Sequence, residues 1–182
     1  MSAQQRLIEI LLERSVKRQK VILASGKESD FYVDARRTTL HAEGASLIAR
    51  LMLEKLQPQI AGIGGPVTGA DPITGAVICE AFRQGRALDG FMVRKEPKAH
   101  GLRLWVEGRA NLKDGSSVCL VEDTVTTGGS LVKAANHVRD SGLEVSQCIV
   151  VVDREEGARE RLAEAGITLE ALVTRRDLIG DG

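Results

Sequence analysis

The chain has 182 residues and a formal net charge of zero, because 25 lysines and arginines balance 25 acidic residues. That length supports one domain with a hydrophobic core and leaves little room for a second. The balanced charge disfavours a protein built mainly to hold nucleic acid, since such proteins usually carry a basic excess.

The cysteines and the N-terminus indicate the compartment. Cys79, Cys119 and Cys148 show neither a C-x-x-C motif nor a histidine at metal-ligand spacing. Cys119 and Cys148 lie in apolar runs, where buried free thiols are expected, and an odd count without a disulfide framework fits a reducing cytosol. Residues 1–20 are charged and amphipathic, and no segment reaches the apolar length of a membrane span. We therefore expect a cytoplasmic protein with no membrane-spanning segment.

Hydrophobic spacing predicts the first elements of the chain. A helix is predicted over residues 4–17, followed by short strands at 21–23 and 31–33 on either side of a Ser-Gly-Lys turn. Apolar residues on one side predict an amphipathic helix over residues 41–56.

In the middle of the chain, strands and helices alternate. A strand at residues 60–65 enters a glycine turn, a helix covers 74–82, and the next strand covers 88–93. Residues 94–111 are charged and show no sustained period, and long irregular segments in a compact domain are usually functional or mobile.

The last third of the chain repeats the pattern. Strands are predicted at 118–121, 148–152 and 169–173, and helices at 130–139 and 156–165. Strands that alternate with helices predict an α/β fold with a central parallel sheet.

The segment at residues 118–130, VCLVEDTVTTGGS, carries the most chemical information. An apolar strand runs into two acids, Glu122 and Asp123, at the end of a strand, which is where open α/β sheets bind ligands. The hydroxyl and glycine residues that follow, together with a helix start, are typical of a phosphate cradle. Acids beside such a cradle predict a ligand with both hydroxyls and a phosphate, such as a phosphorylated sugar. The alternative is a loop with two solvated acids.

Five segments together resemble the type I phosphoribosyltransferases, and among these the orotate phosphoribosyltransferases. They match, in family order, an N-terminal base-side motif, a glycine loop, the catalytic-loop signature, the phosphoribosyl pyrophosphate (PRPP) motif and a second base-side motif. Their sequences here are SGKESDFYVD (25–34), GGPVTG (64–69), FMVRKEPKAHG (91–101), VCLVEDTVTTGGS (118–130) and VVDREEG (151–157).

The resemblance implies a fold and an activity. The fold would be that of the type I phosphoribosyltransferases, with a mostly parallel central sheet flanked by helices and a small N-terminal hood. Residues 1–182 would form a single domain, with residues 1–40 as the hood beside the base site and 94–111 as a mobile catalytic loop. The activity would be transfer of the 5-phosphoribosyl group from PRPP to orotate, giving orotidine 5′-monophosphate and pyrophosphate in pyrimidine biosynthesis. Such an enzyme is a pentosyltransferase.

The resemblance also implies the residues that bind PRPP. Lys98, His100 and Asp123 would take part in catalysis, with Lys98 and His100 meeting the leaving pyrophosphate as it gains negative charge. The loop would act across a homodimer, with Arg94, Lys98 and His100 in trans and Lys95 in cis. The alternative for these cations is a solvated charged loop. The full PRPP-binding set is Arg94, Lys95, Lys98, His100, Glu122, Asp123, Thr124, Val125, Thr126, Thr127, Gly128, Gly129 and Ser130.

The resemblance also implies a second set of residues, which would bind orotate. Arg154 matches the family position whose guanidinium can hold the orotate carboxylate. The alternative is a salt bridge at a helix start with Glu155 or Glu156, and position and motif favour ligand binding. Thr126 matches a contact from the PRPP loop. Tyr32 matches an aromatic residue near the base, or simply packs in the core, and Lys27 is a weaker candidate.

The resemblance implies Mg²⁺ as the cofactor, carried by the pyrophosphoryl oxygens and water, since no direct metal-ligand cluster stands out in the sequence. No nucleic-acid or membrane partner is implied.

Two positions depart from the family pattern. Many relatives carry a lysine where this chain has Ala24, and Lys27 stands on the other side of Gly26. Some relatives carry a PRPP-contacting lysine where this chain has Gly69. Two other interpretations stay open: a purine or xanthine phosphoribosyltransferase, and a PRPP-sensing regulator that binds RNA.

Overall fold

The N-terminal part of the protein forms a helix and a separate two-stranded hairpin. A computed structural model describes residues 1–22, 28–97 and 104–180. Helix α1 (Ala3–Arg14) leads into β1 (Val16–Ile22), which pairs antiparallel with β2 (Glu28–Val33). The short helix α2 (Arg36–Thr39) then leads into α3 (Ala42–Lys55).

The rest of the chain builds the central sheet. The elements that follow are β3 (Gly62–Pro66), α4 (Ala70–Arg83), β4 (Asp89–Val93), β5 (Val106–Glu107), β6 (Ser117–Val125), α5 (Gly129–Asp140), β7 (Glu144–Asp153), α6 (Ala158–Glu164), β8 (Thr168–Thr174) and α7 (Arg175–Ile179). A 3₁₀ turn at Arg109–Asn111 lies between β5 and β6. The six sheet strands lie in the order β5-β4-β3-β6-β7-β8, and only the β4–β5 pair is antiparallel. The sheet is therefore mostly parallel, as the sequence predicts.

Alternating residues of β6 show how both faces of the sheet are covered. Cys119 and Val121 pack in the cluster formed with α1, α3 and α4. Val118 and Leu120 pack in the cluster formed with α5 and α6. The alternation follows from the two-residue period of a strand, and burial on both faces explains the continuous apolar run.

The cysteines confirm the expectation from composition. Cys119 and Cys148 are buried free thiols, whereas Cys79 is free and exposed. Burial raises the pKa of both buried thiols, so they are inert core residues.

Some predicted boundaries were wrong. The first helix ends at Arg14 and not near residue 17, because Val16 and Lys17 pair with Val33 and Tyr32 in the hairpin. Helix α4 begins at Ala70, four residues before the predicted start. Its Pro72 lies in the first turn, where a missing amide removes no helical hydrogen bond.

The strand that carries the acid pair is longer than predicted. β6 continues from the predicted end at Val121 to Val125, because Glu122, Thr124 and Val125 still pair with β7. The acid pair therefore lies within the last part of a strand and not after its end.

The order of the strands defines one point where the sheet opens. The chain moves outward from β3 to β4 in one direction and from β6 through β7 to β8 in the other, so β3 and β6 are neighbours at a topological switch point. Ligands bind open α/β sheets at such points, beyond the carboxyl ends of the strands. Within the described ranges, no helix is long and apolar enough to span a membrane.

A buried polar side chain links α3 to the sheet and generates a prediction about stability. Gln147 is fully buried, accepts a hydrogen bond from the amide of Gln57, and donates to the Lys55 carbonyl and to Glu170. Gln147→Leu should lower the free energy of unfolding by about 1–3 kcal/mol, because it removes three hydrogen bonds of a buried side chain. Urea unfolding measures the change.

The matched control is Gln59→Leu. Gln59 is exposed and bonds only to the side chain of Gln57 at 2.8 Å among the described residues, so this change should stay within about 0.5 kcal/mol of the parent. Equal effects of the two substitutions would contradict a bridging role for Gln147.

Candidate active site

Glu122 and Asp123 lie where β3 separates from β6. The β3–β6 register runs from Gly62 opposite Val118 to Gly64 opposite Leu120. Beyond that point β6 pairs with β7 alone, as far as Val125 opposite Asp153. The two acids therefore border the opening at the switch point, as expected for a ligand site.

Burial controls the charge state of the acid pair. Desolvation, and then the neighbouring Asp123, raise the pKa of Glu122 to about 8. Desolvation also raises the pKa of Asp123, while the guanidinium of Arg36 opposes that shift. The Asp123 amide donates a 3.3 Å hydrogen bond to Glu122 Oε1. A ligand that supplies hydroxyl donors or a cation would relieve the cost of ionising both carboxylates.

The start of α5 has the features of a phosphate cradle. Gly128, the N-cap residue, has a φ of 76°, in the left-handed region that favours glycine. No side chain caps the helix and its first turn holds no acidic residue. The first amides of α5 therefore point out of the helix and are available to an anion, which the helix dipole also favours.

The residues of this loop reach the solvent in different degrees. Thr126, Thr127 and Ser130 are exposed, and Gly129 is half-buried. The hydroxyl of Thr124 is buried and has no hydrogen-bond partner within the part of the chain that the structure describes.

A cavity of about 540 Å³ joins Glu122, one member of the acid pair, to Ser130 at the start of α5 and to two cations that directly follow β4. Its lining includes four of the predicted residues, namely Arg94, Lys95, Glu122 and Ser130. The structure thus brings together residues from three separate segments of the sequence. Arg94 also pairs with Glu107 at 3.1 Å, which holds its side chain beside β5.

Other residues of the site were not identified from the sequence. Lys133 and His137 line the same cavity, as does Trp105. Ser130, Lys133 and His137 are spaced by three and then four residues along α5, so these three side chains share one face of the helix. That spacing was the signal available in the sequence.

Arg36 is a further residue that the sequence reasoning missed. Its guanidinium pairs with Asp34 at 3.2 Å and interacts electrostatically with Asp123. No motif marked Arg36, because its relation to Asp123 exists only after folding.

Arg154 lies next to the Thr/Gly loop of residues 126–130. Its amide donates a 3.0 Å hydrogen bond to the carbonyl of Val125, the residue before Thr126. Its side chain is buried and pairs with Glu156 at 3.0 Å. The salt bridge considered from the sequence is therefore present, and orotate binding by Arg154 stays a prediction.

The structure describes Tyr32 among the remaining candidate residues, and the others lie outside the described ranges. Tyr32 lies on β2 and is half-buried. Lys27, Lys98 and His100 lie outside the described residues, as does Ala24, so their roles stay predictions. The segment predicted as irregular, residues 94–111, contains β5 and the 3₁₀ turn at its C-terminal end.

Gly69, one of the two departures from the family pattern, lies directly against the acid pair. A Cβ atom built on Gly69 would lie 2.0 Å from Glu122 Oε1 and 3.1 Å from Asp123 Oδ1. The glycine therefore lets the acid pair lie against the backbone of the loop that precedes α4. A side chain at this position would require the Glu122 carboxylate to move.

Comparisons with known proteins agree with this geometry. Residues 40–171 match the family model described as a phosphoribosyl transferase domain. The orotate phosphoribosyltransferase of Sorangium cellulosum (strain So ce56) is 43% identical over 182 residues, covering 99% of this chain and 95% of that protein.

Solved structures give the same result. The orotate phosphoribosyltransferase of Mycobacterium tuberculosis H37Rv in complex with Fe(III) dicitrate has a TM-score of 0.85 at 39% identity, covering 98% of this chain and 99% of that one. The same enzyme in complex with PRPP has a TM-score of 0.80 at 36% identity, covering 97% and 99%.

The mostly parallel sheet, the acid pair at its opening and the uncapped helix behind a Thr/Gly loop define a phosphoribosyltransferase. The match extends over nearly the whole chain at high identity to one branch of that class. The chain belongs to the orotate phosphoribosyltransferase family, whose members are pentosyltransferases.

The raised pKa of Glu122 generates a prediction about stability. Because burial raises that pKa to about 8, the native state keeps a proton that the unfolded chain releases near a pH of about 4.3. The free energy of unfolding should therefore fall as pH rises between these two values. At a pH of about 8, Glu122→Gln should be more stable than the parent by at least about 1 kcal/mol, since one pKa unit corresponds to about 1.4 kcal/mol.

Urea unfolding of the ligand-free protein near pH 5 and pH 8 measures this difference, which should shrink at the lower pH. Glu160→Gln, at an exposed position, removes the same charge without the burial and should leave the pH slope of the parent. A parental slope in Glu122→Gln would show that Glu122 ionises normally in the folded protein.

Proposed function

We propose that this protein transfers the 5-phosphoribosyl group from PRPP to orotate, giving orotidine 5′-monophosphate and pyrophosphate. The observation that carries the proposal is the buried acid pair at the switch point, directly followed by the uncapped start of α5. This arrangement suits a ligand with ribose hydroxyls and a 5′-phosphate. The relatives named above carry this activity in their names, and one was solved with PRPP.

The acid pair and the PRPP loop would hold the two ends of the ribosyl group. Glu122 and Asp123 would accept hydrogen bonds from the ribose hydroxyls, which are donors that a pair of carboxylates can orient. The amides and hydroxyls from Thr126 to Ser130 would hold the 5′-phosphate at the positive end of α5. Held at both ends, the anomeric carbon would be oriented for attack by the base.

The cations would act on the leaving group. As pyrophosphate departs, negative charge develops on it and the ribosyl ring gains oxocarbenium character. Lys98 and His100 would stabilise that charge, with Arg94 and Lys95 beside them. The position of Arg94 and Lys95 in the same cavity as Glu122 supports this arrangement.

The base would enter from the β7 side. The guanidinium of Arg154 would hold the orotate carboxylate, and its backbone contact with Val125 brings it beside Thr126. The guanidinium pairs with Glu156 at 3.0 Å, so an orotate carboxylate would share it with that glutamate. Tyr32 and Lys27 would border the base from the N-terminal hood, residues 1–40.

Mg²⁺ would accompany the pyrophosphoryl group. Among the described residues no group of three or more acidic, histidine or cysteine side chains is arranged to hold a metal ion. The carboxylate oxygens of Glu122 and Asp123 are nevertheless ligands that suit Mg²⁺, directly or through water. When bound, the ion would neutralise part of the pyrophosphate charge, while PRPP would supply most of its ligands.

A homodimer would complete the site. Phe82 on α4 and Met92 on β4 are exposed apolar side chains, and Met92 lines a largely apolar cavity of about 250 Å³ with Ile78. Exposed apolar surface of this kind favours a protein partner. Met92 pairs with Glu107 at the base of the catalytic loop, residues 94–111, so a second subunit here would lie close enough to exchange loop residues.

The cellular context follows from the proposed reaction. An enzyme that makes orotidine 5′-monophosphate belongs to pyrimidine biosynthesis, in the cytoplasm, where its free cysteines stay reduced.

Orotate-dependent release of pyrophosphate from PRPP in the presence of Mg²⁺ is the direct test. The purified protein should release pyrophosphate with orotate and not with hypoxanthine or adenine, because Arg154 offers a partner for the orotate carboxylate that purines lack. A coupled pyrophosphate assay measures the three rates. Turnover of a purine without turnover of orotate would overturn the proposal.

Mixed dimers test the action of the loop across subunits. Lys98→Ala and Asp123→Ala should each be inactive alone, because each lacks one half of every site. If Lys98 acts in trans, co-refolded heterodimers should recover part of the parental kcat, since one site per dimer is then intact. Heterodimers purified through two different affinity tags provide the sample, and a dimer of two Lys98→Ala subunits is the control. No recovery would place Lys98 in the site of its own chain.

A further inference from the structure

The tryptophan of this chain lies flat against a histidine of α5. The ring centroids of Trp105 and His137 are 3.9 Å apart, and their planes differ by 8°. Trp105 directly precedes β5, and His137 lies in the last turn of α5. The contact therefore joins the β4–β5 connection to the helix whose first turn forms the phosphate cradle.

Both rings are part of the wall of the active-site cavity. Trp105 and His137 line the same cavity as Lys95, Glu122 and Ser130, and both are half-buried. Trp105 also packs against the hydrophobic cluster that contains Val93, Val106 and Leu131. The stack therefore borders both the core and the cavity that Arg94 and Lys95 line.

The backbone around Trp105 is tied directly to the predicted pyrophosphate cations. The amide of Arg94 donates a 2.9 Å hydrogen bond to the Trp105 carbonyl. The Arg94 side chain pairs with Glu107 at 3.1 Å. Because of these two bonds, a displacement of Trp105 would also displace Arg94 and its neighbour Lys95.

The pairing of β5 alone is a weak restraint. Among the described residues, β5 has two residues that pair with β4, Glu107 with Met92 and Val106 with Val93, and the Arg94–Trp105 backbone bond continues that pairing by one step. A strand this short at the edge of a sheet has few hydrogen bonds to hold its position. The aromatic stack adds a contact with defined geometry on the opposite side.

We propose that the Trp105–His137 stack is a positioning contact for the reaction. It holds Arg94 and Lys95 at a set distance from the phosphate cradle at the start of α5. Trp105 and His137 are thus positioning residues that act through the two cations. The inference rests on the proposed function for the identity of the ligand, because it takes PRPP to span the cradle and the cations.

Helix α5 connects the stack at its C-terminal end directly to the phosphate cradle at its start. Ser130 and His137 lie seven residues apart on one face of the helix, with Lys133 between them. Because α5 is a continuous helix, the distance between its two ends is fixed. The stack therefore fixes the position of the two cations relative to the helix that would hold the 5′-phosphate.

Two substitutions at one position separate stacking from other roles. His137→Ala removes the ring, whereas His137→Phe keeps a flat ring and removes its nitrogens. We expect the KM for PRPP to rise about tenfold in His137→Ala, because misplaced binding groups cost roughly that much or more. The KM for orotate should change less than about twofold, because the predicted orotate contacts lie on the β7 side. His137→Phe should recover most of the parental value.

Controls distinguish this role from a structural one. Asn136→Ala changes the exposed neighbouring residue of α5 and should match the parent in KM and in thermal unfolding. A merely structural role for His137 would lower the melting temperature and raise both KM values together. An unchanged KM for PRPP in His137→Ala, or equal defects in the alanine and phenylalanine variants, would overturn the proposal.

Fluorescence gives a readout that does not depend on orotate turnover. Trp105 is the single tryptophan of the chain and lines the cavity, so its emission reports the surroundings of that ring in the parent and in His137→Ala. Titration of the parent with pyrophosphate and Mg²⁺ should change that emission, and His137→Ala should bind pyrophosphate about tenfold more weakly. If the parent fails to use orotate but shows this titration, the proposed function fails and the positioning role stands. Equal pyrophosphate affinity in the parent and in His137→Ala would refute the positioning role itself.

Discussion

Glu122 and Asp123 lie side by side on β6, at the point where β3 stops pairing with that strand. Burial raises the pKa of both acids, that of Glu122 to about 8. Two adjacent carboxylates in such a place are costly to ionise unless donors or cations come close. The elements around them supply that environment: Arg36 approaches Asp123 from the N-terminal part, and Lys95 approaches Glu122 from the end of β4.

The sheet makes this arrangement possible. Strands β4 and β6 lie on either side of β3, so the residues that follow them meet at one edge although more than twenty residues separate them in the chain. The start of α5 follows β6 directly and brings its unpaired amides to the same edge. The ribose end, the phosphate end and the leaving-group end of a PRPP-like ligand would therefore each meet a different segment of one chain.

Local sequence predicted the parts of this design that depend on neighbouring residues. The acid pair, the Thr/Gly loop and the helix that follows are contiguous, so their order along one strand–loop–helix unit could be predicted before folding. The alternating strands and helices predicted the mostly parallel sheet for the same reason. Predictions were wrong where a partner strand decided the outcome: β6 extends to Val125 because β7 continues beside it, and α1 ends at Arg14 because the hairpin takes up the residues from Val16 onward. Helices α2 and α7, with four and five residues, are too short to show a period.

By itself, the sequence determined the fold class and the family, and predicted the chemical character of the ligand, because these depend on short motifs and on hydrophobic period. Only the tertiary structure decided that Arg94, Lys95, Glu122 and Ser130 share one cavity and that Trp105 stacks on His137. It also decided the charge state of the acids, since desolvation depends on everything packed around a carboxylate and not on its neighbours in the chain. Contacts between distant segments have no signature in a single sequence, because many pairings are compatible with the same local pattern and packing selects among them.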